Sequence, residues 1–155
     1  MKVFLFIIFT ISILISPKDN GVNEERHRQL FEYYWQGILQ TESDNMHFKN
    51  WKIVTSSKGA LGIAQIMPET FRCILIWSGR TDLKQSDIRI KKHNLFAGKW
   101  YFSNAFFYEF RSDRCRSISG YNMGYNSKRI NWDYVKKVQS KGQWQWWKGL
   151  DKERK

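Results

Sequence analysis

The chain has 155 residues, 17% of them aromatic with eight Trp among them, only two Pro, and a formal net charge of +12. That length allows one compact domain with a real core and excludes two, and so many large apolar residues exclude a disordered chain. The charge favours an anionic partner, yet the basic residues are spread from Arg26 to Lys137 without a basic helix or a nucleic-acid motif, so nucleic acid is not expected.

Lys2 precedes an apolar run from Val3 to Ser16. The run is shorter than the ~20 residues a spanning helix needs and has the form of a secretory signal. Residues 1–17 are therefore expected to be a signal peptide or an N-terminal anchor that associates with the membrane. The chain would be exported to the periplasm or cell envelope. No small-x-small cleavage site is present, and Pro17 follows Ser16, so both readings stay open. Export would let Cys73 and Cys115 form the one intramolecular disulfide available to them; two buried free thiols are the equal alternative. The three His, at 27, 47 and 93, are scattered, and no metal or other cofactor is expected.

Residues 17–23 read as a polar, turn-rich break. Asn23 suits a helix cap, with Glu24 and Glu25 in the first turn. Leu30, Phe31, Tyr34, Trp35, Ile38 and Leu39 then recur at helical spacing, which predicts an amphipathic helix ending near Thr41 or Glu42. Gly37 lowers its helix propensity and suggests close packing there. Residues 43–58 read as a loop. Pro68 suits the first position of a helix that runs to Trp77, and Ser78-Gly79-Arg80 reads as a turn. From Asn94 to Phe110 large apolar residues lie almost all round the helix, which predicts a central, buried element. Shorter helices are expected over 113–121 and 131–139, the latter with Tyr134, Val135 and Val138 inward. The fold class is mainly α, one domain over 22–141, followed by a basic, Trp-rich tail over 142–155.

Three segments carry candidate chemistry. Glu42 closes an apolar helix, where partial burial would raise its pKa, as a general acid requires. Gly59 and Gly62 precede Gln65, a polar side chain in an apolar stretch that must find hydrogen-bond partners. Tyr121 and Asn122 stand before Gly124, a stacking face and a donor–acceptor pair that suit sugars as well as ordinary turns.

Glu42-Ser43, then Ser56 through Thr70, then Asn94 through Phe102, then Tyr121-Asn122-Met123-Gly124 stand in one order. Together they resemble the soluble lytic transglycosylase family, over about residues 25–140. The resemblance implies a lysozyme-like fold and cleavage of the MurNAc-β-1,4-GlcNAc bond of peptidoglycan glycan strands, leaving 1,6-anhydroMurNAc. It implies Glu42 as lone acid/base, with Ser56, Gln65, Tyr121, Asn122 and Tyr134 near carboxyl or substrate. Phage, conjugation and envelope-spanning secretion machinery are among the settings such enzymes serve. Two departures stand out: Ala64 replaces the family's Met before Gln, and the interval from Glu42 to Ser56 is longer than the family's. A hydrolytic lysozyme using Asp44 as second carboxylate is one alternative. A non-catalytic wall-binding or secretion-scaffold protein of the same fold is the other.

Overall fold

The computed structural model describes residues 17–110 and 113–153, with side chains over 23–110 and 113–143. Five α-helices and one small hairpin make up the described chain: α1 Pro17–Ser43, β1 Phe48–Lys49, β2 Lys52–Ile53, α2 Pro68–Trp77, α3 Lys91–Asn104, α4 Arg114–Met123 and α5 Trp132–Glu153. A 3-10 turn at Gln85–Arg89 precedes α3, and a π turn at Ala105–Glu109 extends it. The mainly α class expected from the sequence is the one observed.

Helix α1 is longer than its periodicity suggests. Residues 17–23 are helical rather than a turn-rich break. Proline is tolerated in a first turn because its missing N–H has no partner there. Gly21 costs only about 1 kcal/mol, and a helix nucleated by the packed stretch after Leu30 propagates through such residues cooperatively. The expected apolar face is the buried one: Phe31, Tyr34, Trp35, Ile38 and Leu39 are all in the core.

The central scaffold is the antiparallel crossing of α1 and α5. Gly37 makes it possible, since a Cβ there would lie 2.2 Å from the Val138 carbonyl oxygen. The Tyr33 hydroxyl donates to the Gln139 carbonyl at 2.6 Å, and Lys141 Nζ donates to the Gln40 carbonyl at 2.9 Å. Both bonds tie the two helices side chain to backbone. Tyr134, Val135 and Val138 face inward as their spacing predicts, and α5 continues through the segment read as a tail as far as Glu153. The side chains of Trp144, Trp146 and Trp147 lie outside the described residues, as does the apolar run 1–16.

Helix α3 fills the space beneath this crossing. Phe102 stacks on Phe31 at 5.2 Å and meets Tyr121 edge-on at 6.3 Å. Its buried stripe is Asn94, Ala97, Gly98 and Phe102, while Lys99 reaches out to pair with Glu32. Helix α4 starts where the Asp113 carboxylate accepts the Arg116 N–H at 2.8 Å, a side-chain N-cap. Cys73 and Cys115 are free thiols, so the disulfide held open above is not formed.

Residues 43–58 are not wholly loop. Lys49 pairs with Lys52 and Phe48 with Ile53 in a hairpin closed by Asn50 and Trp51. Both turn residues have positive φ, 52° and 63°, which marks a type I′ turn. Two residues per strand are too few to show period-two alternation.

Candidate active site

Glu42 lies in the last turn of α1, half-buried, and Tyr134 projects from the start of α5 toward it. The Tyr134 hydroxyl donates to Glu42 Oε1 at 2.6 Å. No other hydrogen bond to this carboxyl is present among the described residues. Burial raises the Glu42 pKa above the ordinary carboxyl value, and the Tyr134 hydrogen bond opposes this without cancelling it. Desolvation disfavours the charged form, while a donor to the carboxylate favours it. Burial, together with the nearby Glu42 carboxyl, holds the hydroxyls of Tyr121 and Tyr134 well above the usual phenol pKa, so both stay protonated donors.

The wall facing α1 is the loop from Thr55 to Met67, and buried polar side chains fix its path. Ser43 Oγ donates to the Ile63 carbonyl at 2.7 Å. His47 Nδ1 accepts the Ile63 N–H at 3.1 Å, while Nε2 lies 2.8 Å from the Arg89 carbonyl; the ring is therefore the Nε2–H tautomer. Asn94 Oδ1 accepts the Ala64 N–H at 2.9 Å, and its Nδ2 donates to the Leu61 carbonyl at 2.8 Å. Tyr121 completes the set by donating to the Ala64 carbonyl at 2.8 Å. Gly62 is required here. Its φ is +74°, and a Cβ would come within 2.6 Å of the His47 ring and 2.8 Å of Asn94.

The expected site residues thus separate into two groups. Glu42 and Tyr134 touch, and Tyr121 lies near enough for the Glu42 charge to act on its hydroxyl. The other three are engaged locally. Ser56 Oγ accepts the Ala60 N–H at 3.0 Å and closes its own turn. Gln65 adopts φ +48° and gives its Nε2 to the carbonyls of Val54 and Gly62. Asn122 Oδ1 accepts from Asn131 Nδ2 at 3.1 Å. The sequence reading passes over Ser43, His47 and Asn94 as contributors to the site. Asn94 has a signal, since a buried amide in an apolar helix must bond to something; His47 has none.

Asp44 is held away from a partnership with Glu42. Its carboxylate accepts from Gln40 Nε2 at 3.2 Å and pairs with Lys141 at 3.6 Å, in an exposed position. Among the described residues no group of His, Cys, Asp and Glu is arranged to hold a metal ion. The chemistry available here is proton transfer by one half-buried carboxyl, beside a rigid wall of backbone and protonated hydroxyls.

The comparisons with known proteins place this helical domain. The model of the transglycosylase SLT domain matches residues 23–146, and the chain belongs to that family. A similar solved structure is an inactive mutant of the lytic transglycosylase Slt from Pseudomonas aeruginosa, at TM-score 0.52 and 18% identity. The match covers 82% of this chain and 22% of that one, so the chain spans under a quarter of that protein's length. What the two share is the lysozyme-like fold. No curated protein matches the chain.

Proposed function

We propose that this protein is a peptidoglycan lytic transglycosylase in which Glu42 is the only catalytic acid/base. The observation that carries the reading is the 2.6 Å contact of Tyr134 with a half-buried Glu42 of raised pKa. Protonation of a glycosidic oxygen needs a carboxylic acid, and burial favours that form over the carboxylate. The similar Pseudomonas structure is of an inactive mutant in which one Glu is replaced by Gln; the corresponding role is here assigned to Glu42.

In the first step Glu42 gives its proton to the oxygen joining MurNAc to GlcNAc. The C1–O bond breaks, and GlcNAc departs with that proton as a hydroxyl. Positive charge develops at C1, and the substrate's own N-acetyl oxygen supplies the stabilisation that a second carboxylate provides elsewhere. Glu42, now a carboxylate held by Tyr134, removes the proton from the C6 hydroxyl. O6 closes onto C1, giving 1,6-anhydroMurNAc and restoring the carboxylic acid. Tyr134 steadies the charged state between the two steps, and its bond to Oε1 leaves Oε2 to carry the transferred proton. The setting proposed is the cell envelope, reached through the apolar N-terminal segment.

Digestion of purified peptidoglycan, followed by mass spectrometry, tests this. Anhydro-muropeptides from the wild type and none from Glu42→Gln are expected. Reducing-end muropeptides would replace this reading with a hydrolytic one and require a second carboxylate. No product from a folded wild-type protein would remove catalysis from the account.

A further inference from the structure

The hairpin after α1 combines three locally unfavourable choices within four residues. A type I′ turn favours Asn-Gly; Asn50 fits, but Trp51 occupies the glycine position at φ +63°. A left-handed conformation costs a non-glycine residue about 1–2 kcal/mol. The Trp51 side chain is 100% exposed, so its indole gains nothing from burial. Lys49 and Lys52 stand directly opposite each other in the ladder, both exposed, and like charges so placed repel. Phe48 adds a second aromatic, 55% exposed, at the base of the same hairpin. Lysines alone would protect the strand edges from aggregation; they do not explain an exposed aromatic in a glycine position. Conflicts of this kind between local preference and sequence mark functional sites.

The hairpin is also rigidly joined to the wall of the site. Val54, just past β2, donates its N–H to the His47 carbonyl at 3.0 Å and accepts the Gly62 N–H at 2.8 Å. Gln65 Nε2 bonds the same Val54 carbonyl at 3.2 Å. His47 in turn fixes Ile63, whose carbonyl accepts from Ser43, the chain neighbour of Glu42. A molecule bound at the hairpin is thus bound to the block that forms the wall facing α1.

We infer that the hairpin tip is an outlying glycan subsite, in which Trp51 stacks on a sugar ring and Lys49 and Lys52 together receive a carboxylate of the attached peptide stem. The inference rests on the peptidoglycan reading above. An indole offers a flat apolar face to the C–H face of a pyranose. A carboxylate between the two ammonium groups turns their repulsion into attraction. The subsite therefore favours strands that bear stem peptides over bare glycan.

The test uses Glu42→Gln protein, which leaves glycan uncut, in co-sedimentation with insoluble peptidoglycan. Bare glycan strands stripped of stems by an amidase, and anionic phospholipid vesicles, serve as the other two probes. Trp51→Gly is the informative variant. It relieves the turn, so it is expected to raise the melting temperature while weakening binding to stemmed peptidoglycan about three- to tenfold. Lys49→Gln with Lys52→Gln is expected to weaken binding to stemmed strands about two- to fivefold and to leave bare strands unaffected. Unchanged binding by Trp51→Gly, absent binding by the parent, or an effect confined to the vesicles would each overturn the subsite. Cleavage by the wild type is scored separately. Products with no dependence of binding on Trp51 defeat this inference alone, whereas Trp51-dependent binding without products defeats only the catalytic reading.

Discussion

On one side of the site, Glu42 and Tyr134 come from the crossing of α1 and α5, where regular helices and a glycine at residue 37 set the geometry. On the other side, residues 44–66 hold their shape with little regular structure. Asp44, Asn45, Asn50, Trp51 and Gln65 all have positive φ, together with Gly59 and Gly62. Buried side chains of Ser43, His47 and Asn94 supply the hydrogen bonds that a helix or sheet would have made internally. A helix pair fixes Glu42, because its direction follows from packing. A wall of irregular backbone leaves amide and carbonyl groups without helix or sheet partners, and it is built only by satisfying each of them. The difference explains why one side tolerates a plain apolar pattern and the other depends on individual residues.

The largest expected effect falls on the helix side. Glu42→Gln should lower turnover about 10²–10⁴-fold, the usual contribution of a general acid or base, measured by release of soluble muropeptides. It should also stabilise the protein, and the sign follows from the raised pKa. A carboxyl whose folded pKa exceeds its unfolded one makes the wild type lose stability as pH rises between those values. The variant's advantage in melting temperature should therefore be present at neutral pH and vanish below the ordinary carboxyl range.

Gly62→Ala strikes the wall instead. A left-handed φ and three contacts under 3 Å, with His47 and Asn94, combine strain with overpacking, and the expected loss is about 2–5 kcal/mol by urea denaturation. Gly37→Ala, which drives a Cβ onto the Val138 carbonyl, sharpens the contrast. It should separate α5 from α1 and lower activity by displacing Tyr134, with the wall intact.

Tyr134→Phe acts on the carboxyl directly. It removes the bond that lowers the Glu42 pKa, so the alkaline limb of the pH–rate profile should move to higher pH. Loss of a hydrogen bond to a charged group should cost about 1.5–3 kcal/mol when Glu42 is ionised, and less when it is protonated. The smallest effect belongs to neither side. With a net charge of +12, activity on whole sacculi should fall as salt shortens the screening length from about 10 Å at 0.1 M toward 3 Å at 1 M. Activity on short, uncharged glycan fragments should not change. A flat salt response on sacculi would remove electrostatic recruitment from the account.

What was legible in the sequence follows the same division. The apolar periodicity of residues 30–39, Pro68 at the start of α2 and the inward trio Tyr134, Val135 and Val138 all lie where their spacing places them, because helix packing obeys a simple period. The helical stretch 17–23 was hidden by residues that look like punctuation but tolerate a helix. The hairpin was hidden by its length. Ser56 and Gln65 stand in a loop and Asn122 at the end of α4, and the polar groups of all three are engaged in local hydrogen bonds that no motif spells out. His47 was invisible, since nothing in its neighbours signals that its ring will hold a loop sixteen residues away.

The most direct test of the central claim is digestion of peptidoglycan in water enriched in heavy oxygen, with wild type and Glu42→Gln side by side. Ring closure by O6 takes no oxygen from solvent, so the account predicts unlabelled anhydro products from the wild type and none from the variant. One heavy oxygen at each new reducing end would mean that water attacks C1, and would contradict ring closure by O6.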